Sequence, residues 1–383
     1  MMKCEKCGQQ LNNWNAYCPN CGEKASDDFS GQEGVSAQSK SAPISVDGYQ
    51  SGGGFTKVIG VIGILVGAAF AVQLLFNTLT GMRYWGILSA FSSGLAGLLL
   101  PIFLVIGGAY LLSNDRKGFD ILFFKTTGLA CMVCGAASIL GTVLGFIRIL
   151  SFVGTYQAII SVAPNAIWPL LLILCGFAIL SDQDGYGAPA VFITGTYCAV
   201  RGTNILIMTT PILGRFGDTA VSAWSGVLTL AFVTVILLTG VTLLVNKKTE
   251  SDSRKIVLFN AAVGLFVGVI SFFALGFIGR LFQMPDDAFA YFIIMGRTYC
   301  FTIPLTALYL AFNSLILTGN IRAYIEIATL HIAVTVLLIP LGILTTGFGM
   351  SGTVISVLIV EFIRLVISGL VFLRKRRGSN YAV

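Results

Sequence analysis

Polar and apolar residues are divided very unevenly along this chain. The first 54 residues are mostly polar, and long apolar segments separated by short polar loops follow almost to the end. A helix that crosses a bilayer needs about 20 apolar residues. Ten segments meet that requirement: 55–79, 86–112, 121–147, 160–180, 189–212, 219–245, 256–279, 288–317, 323–345 and 350–373. The pattern predicts an all-α, polytopic membrane protein of about ten transmembrane helices behind a small polar N-terminal region.

The composition supports a membrane protein and no other class. Of 383 residues, 56% are hydrophobic and 11% charged, whereas a soluble domain carries roughly 25% charged residues. The net charge of +7 does not indicate nucleic acid, because Lys and Arg concentrate on the cytoplasmic loops of membrane proteins. The lipid bilayer is therefore the first expected partner. We find no phosphate-binding loop and no Ser/His or Cys/His set, so we do not expect an enzyme.

The loop charges predict the orientation. The first apolar segment begins near Phe55, behind about fifty polar residues, which is not the arrangement of a signal peptide. Basic residues are concentrated in alternate loops, such as "NDRKGFD", "NKKTESDSRK" and the tail "RKRRGSN". By the positive-inside rule these loops are cytoplasmic. We expect a multi-pass protein of the plasma membrane with both termini in the cytoplasm.

Two Cys-x-x-Cys pairs lie in the polar N-terminal region. Cys4 and Cys7 form one pair and Cys18 and Cys21 the other, each followed by Gly. Four thiolates at this spacing predict a closed tetrahedral site for structural zinc; iron is an alternative. Two disulfides are disfavoured in a reducing cytosol. Residues 2–25 resemble the short zinc ribbons at the N-termini of many bacterial membrane proteins, which implies a structural role or protein contacts.

The predicted domains are a zinc ribbon at 1–25, a flexible Ser- and Gly-rich linker at 26–54, four membrane helices of unknown type at 55–181, a six-helix unit at 189–377 and a tail at 378–383. The six-helix unit carries an ordered series of five loop sequences. These are "ILGRFGDTAVSAWSGVLTL" (212–230), "NKKTESDSRKIV" (246–257), "GRLFQMPDDAFAYFIIMGRTY" (279–299), "NSLILTGNIRAY" (313–324) and "GFGMSGTVISVLI" (347–359). In order and spacing they resemble one lobe of the multidrug and toxic compound extrusion transporters.

That resemblance implies half of a twelve-helix carrier that exports small cationic or amphiphilic compounds in exchange for sodium or protons. A homodimer would supply the second lobe. The sequence departs from the family where a carboxylate often precedes the Gly-Arg loop, since Thr209 and Thr210 stand there. Two alternatives stay open: a scaffold or sensor that uses the zinc ribbon for protein contacts, and a flippase-like exporter of a lipid-linked substrate.

Ionisable residues within the predicted spans are the candidates for transport or ion coupling, because charge in hydrocarbon is costly. They are Arg201, Arg297, Glu326, His331, Glu361 and Arg364. Glu361 and Arg364 are three residues apart and so share a helix face. They predict either a proton or cation site tuned by the arginine or a self-neutralised structural pair.

The other four candidates also allow two interpretations each. Glu326 lies near a cytoplasmic helix end and suits a structural or gating role better than substrate binding. His331 could relay protons, since imidazole titrates near neutral pH, or it could join two helices by hydrogen bonds. Arg201 and Arg297 could attract an anionic head group or pair with Glu361. Four prolines inside spans, Pro101 among them, predict either cavity-lining breaks or packing kinks.

Overall fold

The structure is a computed structural model, and it describes residues 2–3, 10–11, 53–113, 116–150, 155–181, 187–207, 212–248, 252–282 and 284–379. The chain divides into two compact units, Met1–Pro43 and Ile44–Val383. In the first unit, strand β1 (Met2–Lys3) pairs antiparallel with β2 (Gln10–Leu11). In sequence the first Cys-x-x-Cys pair falls between these strands. Cys4, Cys7, Cys18 and Cys21 all lie outside the described residues, so the zinc site stays a prediction.

The second unit is built from helices in its described residues. They are α1 (Gly53–Trp85), α2 (Ile87–Gly97), α3 (Leu99–Leu112), α4 (Arg116–Leu150), α5 (Thr155–Ser181), α6 (Gly187–Ile207), α7 (Asp218–Lys248), α8 (Ser253–Leu281), α9 (Asp286–Cys300), α10 (Thr302–Gly319), α11 (Ile321–Val334), α12 (Leu338–Thr345) and α13 (Gly349–Ser379). Short 3₁₀ turns occupy Gly214–Phe216, Thr335–Leu337 and Thr346–Phe348. The helical class of the membrane region is as predicted.

The number of spans differs from the predicted ten. Eight stretches within the described residues are long and apolar enough to cross a membrane. One of them, Ile321–Arg374, contains 54 residues, which is far longer than the roughly 20 that one crossing needs. Gly349 has a φ of 71°, and α13 packs back against α11 and α12, so this stretch includes a reversal. In α5 the apolar stretch is Ala166–Ser181, shorter than the others. The count of ten is therefore not confirmed.

The outer surface of the helical unit suits lipid rather than water. Large apolar side chains are widely exposed, with Phe273 80% and Phe348 77% accessible. A continuous apolar surface of this kind is unfavourable in water and expected in a bilayer. Inside, one hydrophobic cluster includes residues from α1, such as Ile59, through to α13, such as Val360. The first helices and the last therefore share a core.

Glycine allows two helix pairs to approach closely. A methyl group on Gly108 of α3 would lie 2.5 Å from the carbonyl oxygen of Gly60 in α1, and one on Gly176 of α5 would lie 2.6 Å from the carbonyl oxygen of Gly128 in α4. Both separations are shorter than any van der Waals contact. Small residues drive helix association in membranes because they let backbones meet. These contacts fix the front helices on which the candidate site depends.

Contacts between helix ends agree with the predicted alternation of sides. Thr56, at the start of α1, donates a hydrogen bond to Glu326 near the start of α11 (3.3 Å). Near the end of α13, Phe372 packs against a cluster that includes Ala323 of α11. The start of α1 and the end of α13 therefore lie at the same end of the bundle. Which membrane face this end occupies remains the prediction from loop charge.

Candidate functional site

A cavity of about 870 Å³ lies among α1, α2, α3, α4 and α6. Its size falls within the range of sites for drug-sized ligands, roughly 300–1,000 Å³. Apolar walls come from residues such as Phe70, Leu100 and Ile205, and Pro101 also lines it. The polar side chains that line it are Gln73, Asn77, Thr78, Ser89, Ser93, Arg148 and Arg201. All five helices contribute from the same end of the bundle, so the polar groups converge on one space.

Two arginines give this cavity a positive charge. Arg148 stands in the last turn of α4, and Arg201 is half-buried on α6. The Nε of Arg201 is buried and has no hydrogen-bond partner in the described part of the chain. Leaving a buried donor without a hydrogen-bond partner costs about 1–3 kcal/mol, and more for a charged group. None of the described lining residues is acidic, so the described part of the chain supplies no anion to the Nε of Arg201.

The cavity was not predicted from sequence, because the front helices carried no recognisable loop series. The available signal was weak: Gln73 and Asn77 are four residues apart in an apolar helix and therefore share a face. Arg201 was a candidate, and the structure places it in the cavity. Pro101 fits the cavity-lining interpretation of the intramembrane prolines.

Glu361 and Arg364 are the centre of a second polar group, buried among α6, α10, α11 and α13. Arg364 is fully buried and pairs with Glu361 through its Nη1. Its Nε donates to the carbonyl oxygen of His331 (3.2 Å), and its Nη2 donates to the carbonyl oxygen of Ala199 (3.3 Å) and to Thr203 Oγ1 (3.1 Å). The geometry of the predicted i,i+3 pair is present, and three helices supply acceptors to one cation.

His331 belongs to the same group through a hydrogen-bonded triad. Ser368 Oγ donates to Asn313 Oδ1 (2.8 Å) and lies 3.0 Å from His331 Nε2. His331 Nδ1 lies 3.5 Å from Asn313 Nδ2. These directions agree with a neutral ring that donates from Nε2 and accepts at Nδ1. The Tyr309 ring packs edge-on, 5.3 Å away. The triad joins α10, α11 and α13, as the helix-joining interpretation of His331 expects.

The remaining two candidates lie elsewhere. Glu326 is buried and accepts the hydrogen bond from Thr56, an arrangement that ties α11 to α1. Arg297 is exposed rather than buried, and its guanidinium lies 5.5 Å from the centre of the Phe272 ring. Its side chain lines neither the large cavity nor the surroundings of Glu361. The six sequence candidates thus fall at four places, not one.

A second, small cavity of about 30 Å³ adjoins Glu361. Sequence reasoning missed two of its lining residues, Asn204 of α6 and Trp224 of α7. Both are buried, and neither Asn204 Oδ1 nor Trp224 Nε1 has a hydrogen-bond partner in the described residues. Asn204 was detectable as an amide inside an apolar span. Nothing in the sequence marked the indole as unpartnered.

Comparison with protein families, with curated proteins and with solved structures found no match. The resemblance of residues 189–377 to a transporter lobe and of residues 2–25 to a zinc ribbon therefore rests on the sequence motifs alone. What the fold establishes is a multi-pass helical membrane protein with a large cavity lined by apolar and polar side chains.

Proposed function

We propose that this protein is a membrane transporter whose large cavity binds an amphiphilic substrate through an anionic group. The observation that supports it best is the cavity lining, in which the buried Nε of Arg201 has no partner among the described residues and none of the described lining residues is acidic. Of the alternatives raised by the sequence, a flippase-like exporter of a lipid-linked substrate fits this lining better than an exporter of cations.

Electrostatics inside the cavity distinguish these substrates. Two unit charges 4 Å apart interact by about 4 kcal/mol at an effective dielectric constant of 20, so a cation in this space meets substantial repulsion from Arg201. An anion instead supplies the acceptor that the buried Nε lacks. Guanidinium groups bind phosphate and carboxylate oxygens through two parallel hydrogen bonds. The unmade donor therefore favours a phosphate- or carboxylate-bearing ligand.

The shape of the lining suggests an amphiphile. Polar side chains of α1 and α2 adjoin apolar surface from Phe70, Leu74 and Leu100, so one cavity can contact a charged group and a hydrocarbon chain together. In the orientation predicted from loop charge, this end of the bundle is the outer half of the membrane. A lipid head group entering from the outer leaflet would meet Arg148 at the helix end first.

Energy coupling and assembly form the rest of the proposal. The sequence resemblance supports exchange against protons or sodium, with Glu361 and its partner Arg364 as the coupling candidates. It also supports a homodimer in which a second copy supplies the other lobe. The N-terminal zinc ribbon would then act in the cytoplasm in regulation or assembly.

The test is lipid movement in proteoliposomes made of neutral lipid with a trace of a fluorescent lipid. In one preparation the fluorescent lipid has a phosphate head group, and in the other it has a trimethylammonium head group. Dithionite bleaches only the dye in the outer leaflet and so reports which leaflet holds the lipid. We expect the wild-type protein to speed the arrival of the phosphate lipid, and not of the trimethylammonium lipid, in the leaflet that dithionite reaches. Arg201→Gln should slow it at least tenfold, since about 1.4 kcal/mol of lost binding is a factor of ten.

Arg297→Gln is the matched control, because it removes the same charge from a site outside the cavity and should leave the rate unchanged. Selective movement of the trimethylammonium lipid, unaffected by Arg201→Gln, would show a cation exporter instead. No movement of either lipid would favour the scaffold or sensor.

A further inference from the structure

The small cavity lies against a different part of the α6 surface from the large one. Arg201 and Ile205 are four residues apart and line the large cavity. Thr203 and Asn204 line the small cavity, together with residues of α7, α9, α10 and α13. One helix therefore forms a wall of both spaces. Any ligand-dependent rotation or shift of α6 changes both at once.

Two buried polar atoms without a hydrogen-bond partner among the described residues belong to side chains around this small space. Asn204 is 5% exposed and its Oδ1 is an unmade acceptor, whereas Trp224 is 2% exposed and its Nε1–H is an unmade donor. Glu361 also lines the cavity, and its Oε2 accepts a hydrogen bond from Thr306 (3.5 Å). Each unmade buried group costs free energy. A ligand that both accepts and donates hydrogen bonds would satisfy the acceptor, the donor and the carboxylate around this cavity.

We infer that the small cavity binds a water molecule that accepts a hydrogen bond from Trp224 and donates to Asn204 and Glu361, and that the site excludes sodium. A water site needs a probe-sized volume of at least about 10–15 Å³ and two to four polar partners. The cavity volume of about 30 Å³ and these three groups meet both needs.

Sodium fits this lining poorly. The indole N–H is a donor only, so its positive end opposes a bound cation. Arg364 already neutralises Glu361. The other titratable side chains near the carboxylate are Tyr299 of α9, Tyr309 of α10 and His331 of α11, while α6 and α7 contribute none to the lining. A sodium ion in this space would therefore find no unpaired carboxylate and would face the indole N–H directly.

The consequence deepens the proposed function and rests on it: if transport is coupled through Glu361, the coupling ion is a proton carried by way of the water. The water site itself can be tested without any transport measurement. Failure of the lipid assay would therefore leave this inference standing, and failure of this test would leave the anionic cavity standing.

The test is a double-mutant cycle on thermal unfolding of the full chain in neutral-lipid nanodiscs. Asn204→Leu and Trp224→Phe each remove one partner of the water and strand the other. If one water joins them, the double variant loses less than the sum of the single losses. We expect the unfolding midpoint to depart from additivity by at least about 1 °C, because 1 kcal/mol shifts a domain of 150–250 residues by roughly 2–4 °C and a larger unit by less.

Trp168→Phe combined with Asn204→Leu is the control pair. Trp168 is also buried, and its indole N–H has no partner in the part of the chain that the structure describes, but it does not line the small cavity. That pair should be additive. Additivity in the Trp224 pair as well would overturn the bridging water.

Sodium exclusion is tested on the wild-type chain and so needs no variant to fold. Replacing choline chloride by sodium chloride at equal ionic strength should move the unfolding midpoint by less than about 1 °C. A ligand at 100 times its dissociation constant would add about 2.7 kcal/mol. A sodium-specific rise that disappears in Glu361→Gln would contradict the inference.

Discussion

Arg364 and Arg201 show two different states of a cation inside a membrane bundle. Arg364 is fully buried and pairs with Glu361, and three further acceptors surround its guanidinium. Arg201 is half-buried, lines a large cavity and keeps one unmade donor. Buried polar groups are normally all satisfied. Arg364 therefore has the acceptors that a buried cation requires, whereas Arg201 keeps a donor without a partner among the described residues, which the proposed ligand would satisfy.

Removing one member of the Glu361–Arg364 pair should be costly. Arg364→Met leaves a carboxylate buried without its cation, and such losses amount to about 3–5 kcal/mol. Replacing both residues, as in Glu361→Met with Arg364→Met, should cost less than Arg364→Met alone, because no charge is left unpaired. Unfolding of the purified chain by increasing dodecyl sulfate measures the difference in free energy.

Arg280→Met provides the control for the pair, since Arg280 is an exposed arginine in the last turn of α8. Its loss should change stability by less than about 0.5 kcal/mol. A double variant as unstable as Arg364→Met would mean that the ion pair does not determine the cost.

At the scale of elements, two helices have N-caps with the same hydrogen-bond geometry, one made by a carboxylate and the other by a side-chain amide. Asp252 accepts hydrogen bonds from the backbone N–H groups of Arg254 (3.1 Å) and Lys255 (3.4 Å) at the start of α8. Asn320 accepts from Arg322 (2.8 Å) and Ala323 (3.1 Å) at the start of α11. Side-chain acceptors at this position satisfy amide groups that the helix leaves free. Only the first of these caps can titrate.

The Asp252 cap should therefore weaken in acid. The hydrogen bond from the Lys255 side chain, and then that from the Lys255 backbone, lowers the pKa of Asp252 below its usual value. A carboxyl whose pKa is lowered by folding stabilises the folded chain at any pH above its pKa in the unfolded chain, near 4. That stability is lost as the pH falls through its pKa in the folded chain. The protection of the Arg254 and Lys255 backbone amides against hydrogen exchange should therefore fall as the pH is lowered from about 4 through the folded-state pKa of Asp252.

The Asn320 cap is an internal control, because an amide does not titrate in this range. Protection at Arg322 and Ala323 should stay constant between pH 5 and pH 3 once intrinsic exchange rates are corrected. Equal loss of protection at both helix starts would indicate general acid unfolding rather than titration of Asp252.

At the scale of the whole molecule, residues 44–383 form one compact unit. The hydrophobic cluster joins the predicted four-helix and six-helix regions, and the large cavity is built from both, since α1 to α4 and α6 line it. The front helices therefore contribute directly to the proposed site. A separate six-helix lobe would lack most of the cavity wall.

The polar N-terminal region makes a prediction about the whole chain. Purified protein should contain one zinc ion per chain by elemental analysis, and Cys4→Ser with Cys7→Ser should remove it, since two thiolates cannot complete a tetrahedral site. Cys131→Ser with Cys134→Ser is the control, because these buried thiols lie on α4. Iron in place of zinc, or no metal in the wild type, would contradict the predicted zinc ribbon.

The sequence by itself determined the membrane class, the approximate position of most helices and the shared helix face of Glu361 and Arg364. These follow from local rules: about 20 apolar residues span a bilayer, and residues three apart share a helix face. Tertiary structure alone decided which distant groups meet. His331 joins Asn313 and Ser368, Arg201 faces a cavity and Arg297 does not, because these outcomes depend on how helices rotate and pack against one another.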